Sequence, residues 1–563
     1  MFALGGAWCM GKGFAVARRK RKQIIGDRGL AGLALLLAAS CLLPPLAVAV
    51  ASLSGGSGTL AHLAATVLPG YISATLTLVA LVAAGSFVIG TGTAWLVVMT
   101  EFPGRRILEI ALVIPLAFPA YVLAYAYTHL LDHPGVVQTA LRALTGWGPR
   151  DYWFPEIRSL GGAGAMLVLV LYPYVYLLAR AAFYGQSATS FFAARALGRT
   201  PLHAFLTVSL PMARPAIAAG VLLAAMETIA DFGTVSYFGV QTFATGIYTS
   251  WFAMFDRVAA AQLSLGLLAF ALLLAILERA TRGRARYDMG KRRESMPRMV
   301  LRGWARAAAP LLCLVPVLLG VVVPVVALGI MAAGSEQALF SGRYLGFVRN
   351  SLILATTGAV VTVAAALVLG SFQRLHPGLT SRAAVHVARL GYAVPGGVIA
   401  VGLLVPFAAF DNALDGWMRD TFGISTGLLL TGSVWVLIGA YMIRFLAAAI
   451  GAYEGGVALI SANMDAASRV LGQGPVGTLR RVHLPILSPS LLTAALIVFV
   501  DIMKELPATL IMRPFNFDTL AVQAFRLAAD ERLEGAAVPS LVIAAVGLVP
   551  VLLLCRQVAR RQG

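Results

Sequence analysis

Apolar runs about as long as a bilayer is thick recur along this chain, separated by short polar or basic segments. Such runs predict helices, because ~20 apolar residues at a 1.5 Å rise cross ~30 Å of hydrocarbon. They fall near 29–53, 71–98, 106–130, 161–184, 212–235 and 259–280, then near 307–333, 347–371, 383–410, 426–452, 486–510 and 535–556. The pattern predicts an all-α polytopic membrane protein with about 12 transmembrane helices, six in each half. An even number of spans per half gives both halves the same orientation, hence two parallel six-helix repeats about a pseudo-two-fold axis along the membrane normal.

The halves also match residue for residue. Gly198, Pro211, Pro215, Glu227 and Asp231 recur as Gly472, Pro485, Pro489, Asp501 and Glu505, each 274 positions later, with Leu210 and Leu484 before the first proline. Five landmarks at one offset mark a tandem duplication. Pro119-Ala-Tyr-Val-Leu-Ala in the third span likewise corresponds to Pro395-Gly-Gly-Val-Ile-Ala in the ninth.

Composition sharpens the class. With 59% hydrophobic and 12% charged residues over 563 positions, and a mean hydropathy of +0.84, the chain is too apolar for a soluble globular fold. A net charge of +20 would point to nucleic acid in a soluble protein. Here the basic residues cluster between spans, as the positive-inside rule expects of cytoplasmic loops, so no nucleic-acid partner is expected and the bilayer is the main one. The four cysteines, Cys9, Cys41, Cys313 and Cys555, are scattered and form no disulfide or zinc pattern.

These signals divide the chain into a basic N-terminal segment (1–28), a first half (29–280), a basic linker (281–306), a second half (307–556) and a short tail (557–563), with both termini cytoplasmic. Arg279 to Arg306 holds ten Lys and Arg. The basic run Arg18 to Lys22 before an apolar stretch resembles a signal peptide, but the stretch is ~25 residues long without a clear cleavage site and reads as a retained first span. Gly6-x4-Gly11-Lys12 is one residue short of a phosphate-binding loop, has Gly13 where the Mg²⁺-binding hydroxyl belongs, and reads as a chance match.

Two cytoplasmic loops, 185–210 and 453–484, carry the duplicated stretch. Phe191-Phe-Ala-Ala-Arg-Ala-Leu-Gly198 and Asp465-Ala-Ala-Ser-Arg-Val-Leu-Gly472 each predict a short helix closed by a left-handed glycine. A two-fold pair of such surfaces suits a two-fold partner. The stretch resembles the EAA motif of ABC-importer permeases, Glu-Ala-Ala, three residues, Gly, then Leu-Pro. Glu227-Thr-Ile-Ala-Asp-Phe-Gly-Thr234, Lys504-Glu-Leu-Pro-Ala-Thr509 and Arg513-Pro-Phe-Asn-Phe-Asp-Thr519 are similar to the fused two-half permeases of ferric-iron importers.

The resemblance implies a bacterial inner-membrane subunit that works by alternating access with two copies of a cytoplasmic ABC ATPase and a periplasmic solute-binding protein. It implies no cofactor on this chain, ATP and Mg belonging to the partner, and a transport subunit rather than an enzyme. The ATPase-coupling residues it implies are Ala193, Ala194, Arg195 and Gly198 in the first loop, and Asp465, Ala466, Ala467, Arg469 and Gly472 in the second. The first copy departs from the family with Phe191-Phe192 in place of the usual acid, and the second has Ser468 in place of an alanine. Ferric iron is the substrate implied; thiamine, phosphonate, polyamine or another small solute are alternatives. An ion-coupled secondary transporter would also carry repeats and buried acids, but would not need a duplicated docking loop.

Glu227, Asp231, Asp501 and Glu505 lie deep in apolar sequence. Glu227 is 16 residues past Pro211, roughly 24 Å along a helix, with Asp231 one turn on and on the same face. A charge facing lipid costs at least ~2.5 kcal/mol, so all four are expected to face the bundle interior or water. Either they line a translocation path favouring a cation, or they pair across helices and cap backbone, Asp501 with Lys504 for instance. His129 and His133, at i and i+4, are weak candidates for a transition-metal pair; an interfacial loop near Tyr121, Tyr125 and Tyr127 is the plainer reading.

Overall fold

The computed structural model describes residues 5–54, 56–186, 188–283, 298–335 and 341–562, leaving aside the side chains of 5–28, 56–60, 188–190, 282–283, 462, 469, 475–476 and 554–562. The side chains of the basic run Arg18–Lys22 and of the glycine-lysine near-match, most of the linker, the Arg469 side chain and the side chains of the tail therefore lie outside the described residues. Among the described residues, eleven helices are long and apolar enough to cross a membrane, and a pair bent by 94° makes a twelfth. In the first half they are Gly29–Leu53, Leu68–Met99, the bent pair Arg105–Ala117 and Ala120–Thr145, Leu160–Tyr184, Pro201–Ala230 and Arg257–Thr281. The second half has Trp304–Ala333, Gly342–Leu375, Gly396–Phe422, Val434–Val457, Leu479–Met503 and Leu533–Leu553. The chain is a multi-pass, all-α membrane protein.

The third and ninth spans, expected to be continuous, are broken at the matched prolines. Phe118 (φ −93°, ψ 135°) and Val394 (φ −84°, ψ 116°) are extended, and each follows a single 3₁₀ turn. A proline ring excludes the residue before it from the helical region, so the break falls at Phe118-Pro119 and Val394-Pro395. The fifth and eleventh spans differ from expectation at both ends. Each begins well before its Leu-Pro and passes through one π-helical turn, Phe205–Ser209 and Leu479–His483, immediately ahead of it. Pro211 and Pro485 offer no N–H, and a π turn accommodates that gap without ending the helix. At the far end the helices stop at Ala230 and Met503, and short helices Gly233–Tyr237 and Pro507–Met512 follow. Asp231 and Glu505 therefore sit beyond the helix that carries Glu227 or Asp501, not one turn along it.

Close helix contacts rest on small residues, as expected where lipid removes most of the hydrophobic drive. A Cβ on Gly90 would lie 2.7 Å from Val175, and one on Gly370 would lie 2.1 Å from the Tyr453 ring. The first helix of each half packs on the other half: Gly29–Leu53 lies against Gly396–Phe422, where a Cβ on Gly402 would meet the Pro44 carbonyl at 2.4 Å. Reciprocally, Tyr127 donates 2.7 Å to the Leu319 carbonyl. Two further ties join the halves. Thr100–Glu101 pairs with Met299–Val300 in a two-residue parallel ladder. At the opposite end of Leu160–Tyr184 from that pair, Arg158 donates to Asp132 (3.0 Å) and doubly to Glu531 (2.6 and 2.8 Å), and this bond holds the Glu531 carboxyl below its usual range.

Candidate functional site

The duplicated loops form the first part of the site. Short helices Ala188–Ala196 and Ala462–Val470 lie between spans, and each chain reverses at a left-handed glycine, Gly198 (φ 83°) and Gly472 (φ 77°). Beside these glycines the matched Leu197 and Leu471 are 83% and 78% exposed, so each loop presents a bare apolar knob. Ala193 and Arg195 are exposed and Ala194 half-buried; Arg195 donates 2.7 Å to the Arg199 carbonyl beyond the helix end. Ala466 and Ala467 are also exposed.

What holds each loop helix to the bundle differs. Asp465 points inward, accepting from Arg374 Nε at 2.8 Å and bonding His483 Nε2 at 2.6 Å. Arg374 also donates to the Ile460 carbonyl at 2.9 Å, and Ser468 bonds Thr478 at 2.8 Å. Burial opposes ionisation of Asp465, but the bonds from His483 and Arg374 outweigh it and hold its pKa below the ordinary value. At the matching positions the first half has Phe191 for Asp465, Ser209 for His483 and Ala204 for Thr478. Phe191 is 2% exposed, and nearby Phe205 packs on Trp95 and Phe183 at 4.8 and 6.0 Å.

The second part is a cavity of about 140 Å³ where the broken spans of the two halves meet. Its lining includes all four acids, with Pro119 and Pro395 at the breaks. The acids fall into two pairs. Asp231 accepts from the Thr234 and Val235 amides at 3.1 Å, and Glu505 from those of Ala508 (2.9 Å) and Thr509 (3.0 Å), so each caps the short helix that follows. Glu227 and Asp501 make no such caps. Glu227 accepts from the Tyr392 hydroxyl of the other half at 3.0 Å, and Asp501 pairs with Lys504 at 2.9 Å. Arg444 approaches Glu505 at 3.8 Å.

The helix bearing His129 ends at Leu131, so His133 lies in the following turn and the two histidines do not share a helical face. Among the described residues no group of three or more His, Cys, Asp or Glu is placed to hold a metal. Tyr392 and Arg444 in the cavity, and Arg374 and His483 under the loop, escaped the sequence reading, and Tyr121, expected beside an interfacial loop, lies buried in the cavity wall instead. Arg444 had a usable signal, a lone cation in the apolar run Val434–Val457, because an intramembrane charge is rarely idle.

No family model matches the chain. It is 27% identical over 497 residues to the Fe(3+)-transport system permease protein of Haemophilus influenzae, covering 86% of this chain and 89% of that one. It is 27% identical over 446 residues, 75% of each chain, to a probable ABC transporter permease of Sinorhizobium fredii. A molybdenum transport system permease of Escherichia coli matches 27% of this chain at 30% identity, over 64% of its own length. Matches that run through both halves of the chain, a loop repeated at one offset and an acid-lined cavity between broken spans together make this chain similar to the permeases of ABC importers.

Proposed function

We propose that the chain passes ferric iron from a periplasmic binding protein to the cytoplasm, driven by two copies of a cytoplasmic ABC ATPase. The observation that carries this reading is the convergence of four carboxylates from both halves on one cavity at the matched helix breaks. Against them stand two cations, Lys504 and Arg444, so the cavity favours positive cargo. That argues against anions such as the sulfate and 2-aminoethylphosphonate named for relatives that align with only 26% and 30% of the chain. The iron assignment follows the Haemophilus relative's name.

In this reading Leu197 and Leu471, with the alanines beside them, seat in a groove of each ATPase, and closure on ATP and Mg held by the partner is transmitted through the loops. The termini and both loops face the cytoplasm. The chain supplies no cofactor of its own. Reconstitution with ATPase and binding protein tests it: ATP-dependent uptake of labelled Fe³⁺ is expected. Uptake without ATP sinks the ABC mechanism, and ATP-driven thiamine uptake without iron sinks the substrate.

A further inference from the structure

We infer that Lys504 is a tethered counter-ion that occupies the cargo station when it is empty, is displaced by arriving cargo, and on its return helps expel it. The inference rests on the cavity being a cation path.

The duplication separates structural acids from available ones. Asp231 and Glu505 are committed to helix caps, each also bonding the hydroxyl of Thr234 (3.1 Å) or Thr509 (2.6 Å). Losing those bonds to cargo would unravel the turn that shapes the cavity. Glu227 and Asp501 carry no such duty and keep carboxylate oxygens for a ligand. A separate feature also points to a ligand. Tyr121, only 4% exposed, lines the same cavity within electrostatic reach of Asp231 and Glu505, yet its hydroxyl has no hydrogen-bond partner among the described residues. A buried phenol left unpaired costs free energy that an oxygen-bound cation with its remaining waters would recover. Carboxylate and phenol oxygens suit hard cations.

The halves differ at one telling position. Lys504 stands where the first half has Ala230, so one available acid faces an ammonium and the other only the Tyr392 hydroxyl. Lys504 caps the helix that ends at Met503, at the backbone break, and its four-carbon stem can swing without moving the helix. Two available acids with no counter-ion would hold a multivalent cation tightly; a competing internal cation lowers that affinity and lets the station empty. Lysine serves here because its charge is compact and mobile, whereas a fixed guanidinium fork would block the site.

Tb³⁺, a hard trivalent ion whose luminescence is sensitised by nearby tyrosine, is the probe, used on the full complex in nanodiscs. Lys504→Met is expected to bind Tb³⁺ roughly tenfold tighter than wild type, the order expected for removing a competing charge at ion-pair distance in a partly solvated site. ATP-driven iron uptake is expected to fall several-fold in the same variant, because release slows. Asp501→Asn in the Lys504→Met background abolishes the gain, and Lys504→Arg, which keeps the charge, does not tighten binding. Unchanged or weaker Tb³⁺ binding in Lys504→Met overturns the inference, as does a gain that survives Asp501→Asn or appears equally in Lys504→Arg. If wild type moves no iron while the Tb³⁺ pattern holds, the iron assignment fails and the counter-ion stands.

Discussion

The two loop helices share a register, a left-handed glycine and an exposed leucine, yet opposite chemistry fastens them. The second is latched by Arg374, Asp465 and His483; the first is plugged by Phe191, fully sheltered where the acid would be. The difference shows that the acid of this loop faces the permease and anchors the helix to the spans on either side. An aromatic ring buried in an apolar seat fastens the first helix and asks for no charged partner. The outward Leu197 and Leu471, with the matched and exposed Ala193 and Ala467, are common to both copies and form the surface proposed above for the ATPase.

The largest expected effect comes from forcing the chemistry of one loop onto the other. Phe191→Asp places a carboxylate in a seat that has Ser209 where the second half has His483, and that Ser209 hydroxyl is itself buried and unpaired among the described residues. A cost above ~3 kcal/mol is expected, enough to release the helix. Hydrogen exchange over 188–196 reads it directly. Ser209→His added to Phe191→Asp should recover part of the protection; if it recovers none, histidine is not what steadies Asp465 in the second loop.

Removing the latch comes next. Asp465→Ala strands the Arg374 guanidinium, whose side chain is 16% exposed, and the fully buried His483. Breaking a pair of this burial costs about 3 kcal/mol. Loss of protection over 462–470 and weaker stimulation of the ATPase by loaded binding protein are expected, with the first loop unaffected. Asp465→Phe with His483→Ser rebuilds the aromatic seat and should do better than Asp465→Ala. Equal damage from both would show that the two fastenings are not interchangeable.

Much of this was legible before any coordinates. The apolar runs placed the spans, because a bilayer imposes one length on every helix, and the 274-residue offset paired the loops and acids. Periodicity could not locate the breaks. Phe118-Pro119 and Val394-Pro395 sit in unbroken apolar sequence, and only the steric rule for the residue before proline marks them. The partners of Asp465 and Glu227 were out of reach for another reason. Arg374 and Tyr392 lie 91 and 165 residues away, and no spacing rule connects residues joined only by packing.

Acid separates the fastenings more gently than mutation. The folded Asp465 has a depressed pKa, so its contribution is present above the unfolded value near 3.9 and fades as pH falls through the lower, folded one. Exchange over 462–470 is therefore expected to be flat from pH 7 to 5 as far as this carboxylate is concerned, and to quicken beyond the intrinsic pH trend below about pH 4. The aromatic seat holds no titrating group, so 188–196 should follow the intrinsic trend throughout. Parallel behaviour of the two segments would refute the assignment of Asp465 as the anchor.

The smallest effect is the most diagnostic for the partner surface. Arg195 is exposed and, among the described residues, bonds the Arg199 carbonyl alone, a helix-end contact worth about 0.5 kcal/mol. Arg195→Ala should barely change protection over 188–196. If Arg195 also meets the ATPase, stimulated hydrolysis will fall far more than that loss of stability allows, and Arg195→Lys, which keeps a charge but not the fork, will recover only part of it. A fall in coupling no larger than the change in stability would confine Arg195 to capping, and leave the exposed leucine and alanines as the whole of the first loop's contact.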